Sequence, residues 1–301
     1  MFRKFTNSFV NFAAFIAALV FASKGSGQEK VAIIMPMYNS MGTVVDAIAS
    51  VRAQTSSNWV LYVINDASTD ESAAIVASIA LEDSRIKLID LNKNGGPGVA
   101  RNIGLELATE NFIAFLDADD LWLPAKLEVQ LESMRDEQSS FSFTAYRRLD
   151  ADGEKIGEQI SVPKIARYGD MLKHVPIVTS SVMIDRSKYA DGMVVFPKDY
   201  LAEDYKLWLK LLKDSSQKAL GINRNLLLFR RGNESISANK ITMARVRWRA
   251  LRDQGLSFPE TISHFANYAV CNVIKYGFKN RIRGLRDQFV PSRPPLRSAA
   301  P

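Results

Sequence analysis

Cysteine is almost absent from this sequence, which has a single cysteine, Cys271, among 301 residues. One thiol excludes a disulfide framework within the chain and any cysteine-rich zinc site. Histidine is also scarce, and the two histidines stand apart in the sequence, so the pattern supports no Ser/His/Asp arrangement. The length is sufficient for one large α/β domain or two modest ones.

The N-terminal segment lacks an apolar run of membrane-spanning length. The run from Phe12 to Ala22 has eleven residues, whereas a spanning helix needs about 20. It fits the core of a cleaved signal peptide, with Val20-Phe21-Ala22 as the cleavage site. The segment also carries a helical stripe that suits a helix lying in the membrane interface: Phe5, Phe9, Phe12, Ile16 and Leu19. An upstream start-site artefact is a third alternative, and residues 1–28 leave all three open.

Positive charge is concentrated at the C-terminal end. The net charge is +7, and the stretch 275–297 alone has seven basic residues and one acidic residue, about +6. This pattern predicts a surface for anionic lipid, with a solvated tail as the alternative. Nucleic acid is not an expected partner, because no recognition module accompanies the charge. We expect basic helices over 241–290 and a disordered tail over 291–301, which is rich in Pro and Ser.

Strand and helix patterns alternate along the first half of the chain. Apolar runs predict strands at 31–37, 59–66, 85–91 and 112–117, and helical spacing predicts helices at 42–54, 69–83 and 96–108. This alternation indicates a largely parallel sheet with helices on both faces. Farther along we expect a hairpin with its turn at Asp152-Gly153, a strand at 179–185, a helix at 201–213, and a strand and turn near 226–235.

Polar clusters follow four consecutive predicted strands: PMYN, NDASTD, NKNGGPG and DADD. The carboxyl ends of parallel strands meet at one edge of a sheet, where ligands of such sheets bind. The third cluster is not G-x-G-x-x-G, since Arg101 stands where the third glycine belongs, and this disfavours a nicotinamide or flavin site. Arg101 could reach a phosphate from the start of a helix, or form a structural salt bridge.

The acidic cluster after the fourth strand predicts a metal site. On an extended strand end, Asp117 and Asp119 point the same way. Two converging carboxylates suit Mg²⁺ or Mn²⁺, which could bridge a diphosphate. The alternative is an exposed acidic turn, and Asp120 is read as a helix cap or a supporting group.

Three other positions carry candidate roles. Asp66, at the end of the second strand, could accept the imide N–H of uracil or lie near a ribose hydroxyl, although a helix cap is the alternative. Glu203-Asp204 opens an amphipathic helix and could supply a general base, although the helix dipole alone would favour acids there. Arg230 and Arg231 are candidates for a diphosphate.

Together these segments resemble the family 2 glycosyltransferases. The likeness covers about residues 30–240 and rests on motifs in the family's order: IIMPMYN, VINDASTD, NGGPGVARNIGL, FIAFLDADDLWLPAKLE, TSSVMIDR, LAEDYKLWLKL and FRRGNESIS. It implies the α/β GT-A fold, a Rossmann-like mixed, mainly parallel sheet flanked by helices, with a C-terminal helical extension. The GT-A domain would cover 29–240, with a nucleotide-sugar half over about 29–135 and an acceptor half over about 136–240.

The resemblance also implies a reaction and its residues. The reaction is an inverting, metal-dependent transfer of a single sugar from a UDP-sugar to a hydroxyl of a glycan or lipid-linked acceptor, in surface polysaccharide biosynthesis. By matching, the turn of Pro36, Tyr38 and Asn39 holds the nucleoside together with Asp66. Asp117 and Asp119 hold Mn²⁺ or Mg²⁺ and the diphosphate. Asp204 is the base, supported by Glu203, and Arg230 lies on a late phosphate loop.

One departure and two alternatives accompany this interpretation. Members often carry a histidine after the arginine of the late loop, and here Arg230-Arg231-Gly232-Asn233 has none. The alternatives are a sugar-1-phosphate nucleotidylyltransferase and a non-catalytic membrane-associated scaffold. Nucleotide sugars are made in the cytoplasm, so we expect a peripheral protein on the cytoplasmic face of the inner membrane, held by its two ends, rather than a secreted or lumenal one.

Overall fold

The computed structural model describes residues 29–173, 177–198, 201–213, 217–230 and 240–270. The strands are β1 (Val31–Met37), β2 (Trp59–Asn65), β3 (Ile86–Asp90), β4 (Phe112–Phe115), β5 (Leu121–Trp122), β6 (Phe141–Leu149), β7 (Ile156–Ile160), β8 (Ile165–Ala166), β9 (Met183–Asp185) and β10 (Ala219–Arg230). The helices are α1 (Val44–Arg52), α2 (Ser72–Glu82), α3 (Pro97–Leu107), α4 (Lys126–Asp136), α5 (Tyr168–Lys173), α6 (Glu203–Leu212) and α7 (Lys240–Arg252). Residues 258–270 form a further helix, α8.

The ten strands within the described residues belong to one mixed sheet, in the order β3-β2-β1-β4-β9-β6-β10-β5, with β7 beside β6 and β8 beside β10. The first four strands pair in parallel. Strand β9 is antiparallel to both β4 and β6, and so joins the two halves of the chain across the middle of the sheet. The expected mixed α/β sheet flanked by helices is confirmed, and its parallel part holds the first strand ends at one edge.

Strand β1 shows why its sequence is apolar at almost every position. Its alternate residues enter different cores: Ala32 and Ile34 pack with α3 and α6, whereas Val31, Ile33 and Met35 pack with α1. A strand that is buried on both faces has no solvent face on which polar residues could alternate. Packing on both faces fixes where β1 ends in the sheet, and therefore where the loop that follows it begins.

Two expected strand boundaries were wrong. Strand β4 ends at Phe115, and residues 118 and 119 lie in a turn, so Asp117 and Asp119 do not share an extended strand. The stretch expected as a strand over 179–185 begins as a 3-10 turn at Thr179–Ser181 and becomes β9 only at Met183. The β6–β7 hairpin was predicted correctly, and Gly153 in its turn has a φ of +80°.

Several expectations lie outside the described residues. These are the N-terminal segment 1–28, Arg231 and the turn after it, and the basic and tail residues from 271 to 301. Of the stretch 241–290, expected to form basic helices, residues up to 270 are described: α7 carries several arginines, whereas α8 has neither lysine nor arginine. No helix among the described ranges is both long and apolar enough to cross a membrane.

The contact between α3 and β1 yields a stability prediction. A Cβ atom on Gly104 would lie 2.6 Å from Ile34 Cγ2, inside the core. We expect Gly104→Ala to lower the free energy of unfolding by roughly 1–3 kcal/mol through overpacking, measured by chemical denaturation. Gly169→Ala is the matched control, because a Cβ atom there meets nothing within 4 Å. An equal effect of both substitutions would contradict the close approach of α3 to β1.

Candidate active site

The loops that follow β1 and β2 are tied together at the edge of the sheet. The Asn39 N–H donates to the hydroxyl oxygen of Ser68 over 3.0 Å, and the Thr69 N–H donates to the Asn39 side-chain oxygen over 2.8 Å. Tyr38, which precedes Asn39, is half exposed. Pro36 is the second-last residue of β1 and lies opposite Ile64 of β2. Of the expected nucleoside residues, Asn39 is therefore tied to the loop after β2, Tyr38 precedes it, and Pro36 lies in β1 beside β2.

Asp66 anchors the loop that follows β3. Its two carboxylate oxygens accept the N–H groups of Gly95 and Gly96, each over 2.8 Å, and the residue is only 3% exposed. These glycine N–H groups are therefore directed at Asp66, and they do not cradle a phosphate. A carboxylate has more acceptor sites than the two used here, so a contact from Asp66 to a base stays a prediction.

The three carboxylates after β4 occupy different environments. Asp117 forms an ion pair with Arg101, Asp119 has an exposed side chain, and Asp120 is fully buried. Desolvation and the negative charge of Asp117 raise the pKa of Asp119 to about 6. Burial, with repulsion from Asp119 and Asp117, raises the pKa of Asp120 well above its ordinary value. The charge of Asp117 is thus compensated by Arg101. Asp119 and Asp120, whose pKa values are raised, would be stabilised by a proton or by a nearby positive charge.

A buried arginine joins the two halves of the site. Arg101 of α3 donates to Asp117 Oδ1 over 2.6 Å and to Glu203 Oε1 over 2.8 Å. Its side chain is 5% exposed and its guanidinium lies 5.3 Å from the centre of the Phe196 ring. Burial alone would lower the pKa of Arg101, but the two carboxylates outweigh it and raise the pKa. Of the two roles considered for Arg101, the structure shows the salt bridge.

The first turn of α6 carries the two acidic residues, Glu203 and Asp204, that were expected to supply the general base. Asp204 Oδ2 accepts a hydrogen bond from the Thr179 hydroxyl over 2.9 Å, and Asp204 Oδ1 accepts one from the Tyr205 N–H. Desolvation, with repulsion from Asp204, raises the pKa of Glu203 despite the opposing charge of Arg101. Glu203 is therefore directed toward Arg101, and Asp204 is the carboxylate that faces the 3-10 turn.

The turn Thr179–Ser181 forms hydrogen bonds with Asp117 and Asp204, a role that its predicted strand did not suggest. The Ser180 hydroxyl accepts the Asp117 N–H over 3.0 Å, so neighbouring residues of the turn contact Asp117 and Asp204. All three residues of the turn are buried. Three consecutive small hydroxyl residues before an apolar strand were the signal available in the sequence, since such side chains often bond to backbone groups.

A buried polar network supports this turn from below. Trp122 Nε1 donates to the Ser180 carbonyl oxygen over 2.8 Å, and Gln130 Nε2 donates to the Ser181 carbonyl oxygen over 3.0 Å. Lys126 is fully buried, donates to Gln130 Oε1 and lies 4.0 Å from the Trp122 ring centre. Desolvation lowers the pKa of Lys126 well below its usual value. The network therefore fixes the position of the Thr179–Ser181 turn relative to β5 and α4.

Arg230 lies beside the acidic loop but faces its backbone. Its Nε donates to the Asp119 carbonyl oxygen over 2.9 Å, and one of its terminal nitrogens donates to the Ala151 carbonyl oxygen over 3.0 Å. Its N–H donates to Asp120 Oδ1 over 2.8 Å. Arg230 thus connects the acidic loop with the β6–β7 hairpin, and its contact with a phosphate stays a prediction.

Backbone strain coincides with this edge of the sheet. The described residues include four non-glycine residues with a positive φ: Asn39, Ala67, Gln138 and Ala202. Three of them adjoin the groups discussed above, because Ala67 follows Asp66 and Ala202 precedes Glu203. Left-handed backbone costs a non-glycine residue about 1–3 kcal/mol and is concentrated at functional sites. The strain marks this edge independently of the acidic residues.

The residues present fit a divalent cation. In the ranges that the structure covers, no group of three His, Cys, Asp or Glu side chains is arranged to hold a metal. Among the described residues, Asp117 and Asp119 are the carboxylates that could hold such a cation. Mg²⁺ is commonly held by one or two carboxylates and completes its shell with substrate phosphates and water. Desolvation and the charge of Asp117 raise the pKa of Asp119, and a bound cation would favour its charged form.

The buried ion pairs of Arg101 yield a second stability prediction. We expect Arg101→Gln to lower the free energy of unfolding by roughly 3–5 kcal/mol, because it leaves Asp117 and Glu203 without their cation. Chemical denaturation measures this loss. Lys164→Gln is the control, because it removes one partner of an exposed ion pair with Glu137 and should change stability little. A similar small effect of both variants would contradict the bridging role of Arg101.

Sequence comparisons identify relatives along most of the chain. The sequence profile of Glycosyl transferase family 2 matches residues 32–190. TuaG of Bacillus subtilis, named for teichuronic acid biosynthesis, is 37% identical over 240 residues, which cover 79% of this chain and 94% of TuaG. WfgD of Escherichia coli, named as a UDP-Glc:alpha-D-GlcNAc-diphosphoundecaprenol beta-1,3-glucosyltransferase, is 35% identical over 248 residues, covering 82% of this chain and 95% of WfgD.

Solved structures share the fold. S. aureus TarS in complex with UDP-GlcNAc aligns with a TM-score of 0.62 at 17% identity, covering 80% of this chain and 71% of TarS residues 1–349. The mannosyltransferase PcManGT from Pyrobaculum calidifontis, in complex with GDP-Man and Mn²⁺, aligns with a TM-score of 0.59 at 18% identity, covering 86% of this chain and 76% of that one. The profile match and the two sequence relatives show that the chain belongs to glycosyltransferase family 2.

Proposed function

We propose that this glycosyltransferase transfers one sugar from a UDP-sugar to a hydroxyl of a lipid-linked saccharide, with inversion at the anomeric carbon. The observation that carries the proposal is the pair of hydrogen bonds that Arg101 donates to Asp117 and Glu203. Through them Arg101 holds Asp117 and the first turn of α6, which includes Asp204, at one edge of the sheet. A donor diphosphate and an acceptor hydroxyl need such neighbouring groups. The names of WfgD and TarS–UDP-GlcNAc support the lipid-linked acceptor and the UDP donor.

The donor would bind along the ends of β1, β2 and β4. Pro36, Tyr38, Asn39 and Asp66 are the residues proposed to hold the nucleoside. Asp117 and Asp119 would hold Mn²⁺ or Mg²⁺, which when bound offsets the charge of the diphosphate as it leaves. Arg101 keeps Asp117 in place, because its buried guanidinium donates a hydrogen bond to Asp117 Oδ1.

Asp204 is proposed as the general base. As the acceptor oxygen bonds to the anomeric carbon, the bond from that carbon to the diphosphate oxygen breaks, and the hydroxyl proton passes to Asp204. The Thr179 hydroxyl and the Tyr205 N–H hold the two carboxylate oxygens, so the group is oriented before the acceptor arrives. Glu203 is committed to Arg101 and supports the turn that carries Asp204.

Membrane association follows from the proposed acceptor. A lipid-linked acceptor stays in its membrane, so the enzyme must approach that surface. The two chain ends expected to make this contact, 1–28 and the basic stretch 275–297, lie outside the described residues. We propose a peripheral protein on the cytoplasmic face of the inner membrane, where nucleotide sugars are available. The family membership favours this transferase over the nucleotidylyltransferase and scaffold alternatives.

The assignment of Asp204 as the general base predicts different effects of its substitution on UDP binding and on sugar transfer. Asp204→Asn should leave UDP binding unchanged and reduce sugar transfer by about 10²–10⁴-fold, the usual contribution of a general base. The measurement is transfer to a GlcNAc-diphospho-lipid acceptor from a panel that begins with UDP-glucose and UDP-GlcNAc. Asp191→Asn, an exposed aspartate outside the site, is the matched control. Full transfer by Asp204→Asn would contradict the assignment of the base.

A further inference from the structure

Helix α8 carries an apolar row that faces outward. Phe258 is 60% exposed, Ile262 is 46% exposed, and Ala266 and Ala269 are exposed as well. The spacing of these residues places them on one face of the helix. In a surface helix such a face normally packs on the protein, and contiguous exposed apolar patches mark interaction sites.

Helix α7 presents a row of arginines beside this face. Arg245, Arg249 and Arg252 are exposed and share one side of α7 with the exposed Ile241. Trp248, one turn from Arg245 and Arg252, contacts Phe258 and Phe265 of α8 edge-on, with ring centres 6.0 and 5.4 Å apart. The arginine row of α7 and the apolar row of α8 therefore adjoin and form one surface, which we call the α7–α8 surface.

The opposite side of α7 is fixed to helices α5 and α6. Arg247 is buried, donates to the carbonyl oxygens of Met171 and Leu172, and lies 4.1 Å from the Tyr205 ring centre. Asp253 forms an ion pair with Lys206 of α6 at 2.7 Å. Since α6 begins with the residues of the proposed base, the α7–α8 surface is mounted on the acceptor side of the site.

We propose that the α7–α8 surface rests on an anionic phospholipid membrane. An apolar helix face flanked by arginines matches the interfacial helices that insert apolar side chains between headgroups and attract anionic lipids. The charge selects lipid over an apolar protein partner, and the sequence that follows adds seven basic residues and one acidic residue over 275–297. The inference rests on the proposed function, since it would bring a lipid-linked acceptor to the side of Asp204.

Partitioning of the full chain into vesicles tests this proposal. The vesicles contain phosphatidylcholine with or without phosphatidylglycerol, and lipid titration gives partition coefficients. The paired substitutions Arg245→Gln and Arg249→Gln should weaken partitioning into anionic vesicles roughly 25-fold, about fivefold per arginine at low salt. The pair Phe258→Ser and Ile262→Ser should weaken it by at least about tenfold, through lost apolar burial.

Matched controls use exposed residues elsewhere. The pair Lys87→Gln and Lys188→Gln removes the same charge, and Leu81→Ser removes an apolar side chain that is 90% exposed on α2. These variants should partition much closer to wild type than the α7–α8 variants, apart from a small general effect of net charge. Equal losses in the control and α7–α8 variants would overturn the proposal, because they would show a contribution of net charge or apolarity alone.

Two further results would overturn the proposal. The first is unchanged partitioning of both α7–α8 pairs. The second is a lower unfolding temperature or altered self-association of Phe258→Ser with Ile262→Ser, at unchanged partitioning, which would show that the face is covered by the chain itself or by a second copy. Calorimetric UDP binding of the same variants reports separately on the proposed function, because vesicle partitioning needs no nucleotide.

Discussion

The buried guanidinium of Arg101 is the interaction on which the site depends. It reaches Asp117 at the end of β4 and Glu203 at the start of α6, two positions that are far apart in the sequence. Without it, two partly buried carboxylates would face each other with no cation between them, and such charges are costly in a low-dielectric interior. One arginine thus allows the end of β4 and the start of α6 to lie side by side.

The same constraint explains how three acidic residues can follow one another after β4. Each is handled differently: Asp117 is paired with Arg101, Asp120 is buried with a raised pKa, and Asp119 remains exposed to solvent. The protein therefore compensates only part of the negative charge and leaves the Asp119 carboxylate exposed at the edge of the sheet. That arrangement suits a cation that arrives with its substrate, because the described residues include no group of three His, Cys, Asp or Glu side chains that could hold a resident metal.

Local patterns were enough to predict the sheet and the acidic residues, but not their connections. Strand β1 was predicted at its observed bounds because burial on both faces makes its sequence apolar throughout. The Arg101–Glu203 contact joins residues 102 positions apart, and only the packing of α6 against the sheet brings them together. The Thr179–Ser181 turn was read as a strand, because the hydrogen bonds of its hydroxyl groups depend on partners that no local pattern reveals.

The central claim is that this acidic edge binds a nucleoside diphosphate through a divalent cation. Calorimetry of UDP with the chain, in the presence and absence of Mn²⁺, tests it without knowledge of the acceptor. The account predicts Mn²⁺-dependent binding that Asp119→Ala abolishes, with the exposed Asp136→Ala as a control that binds normally. UDP binding that is equally strong without metal, or that survives Asp119→Ala, would contradict it.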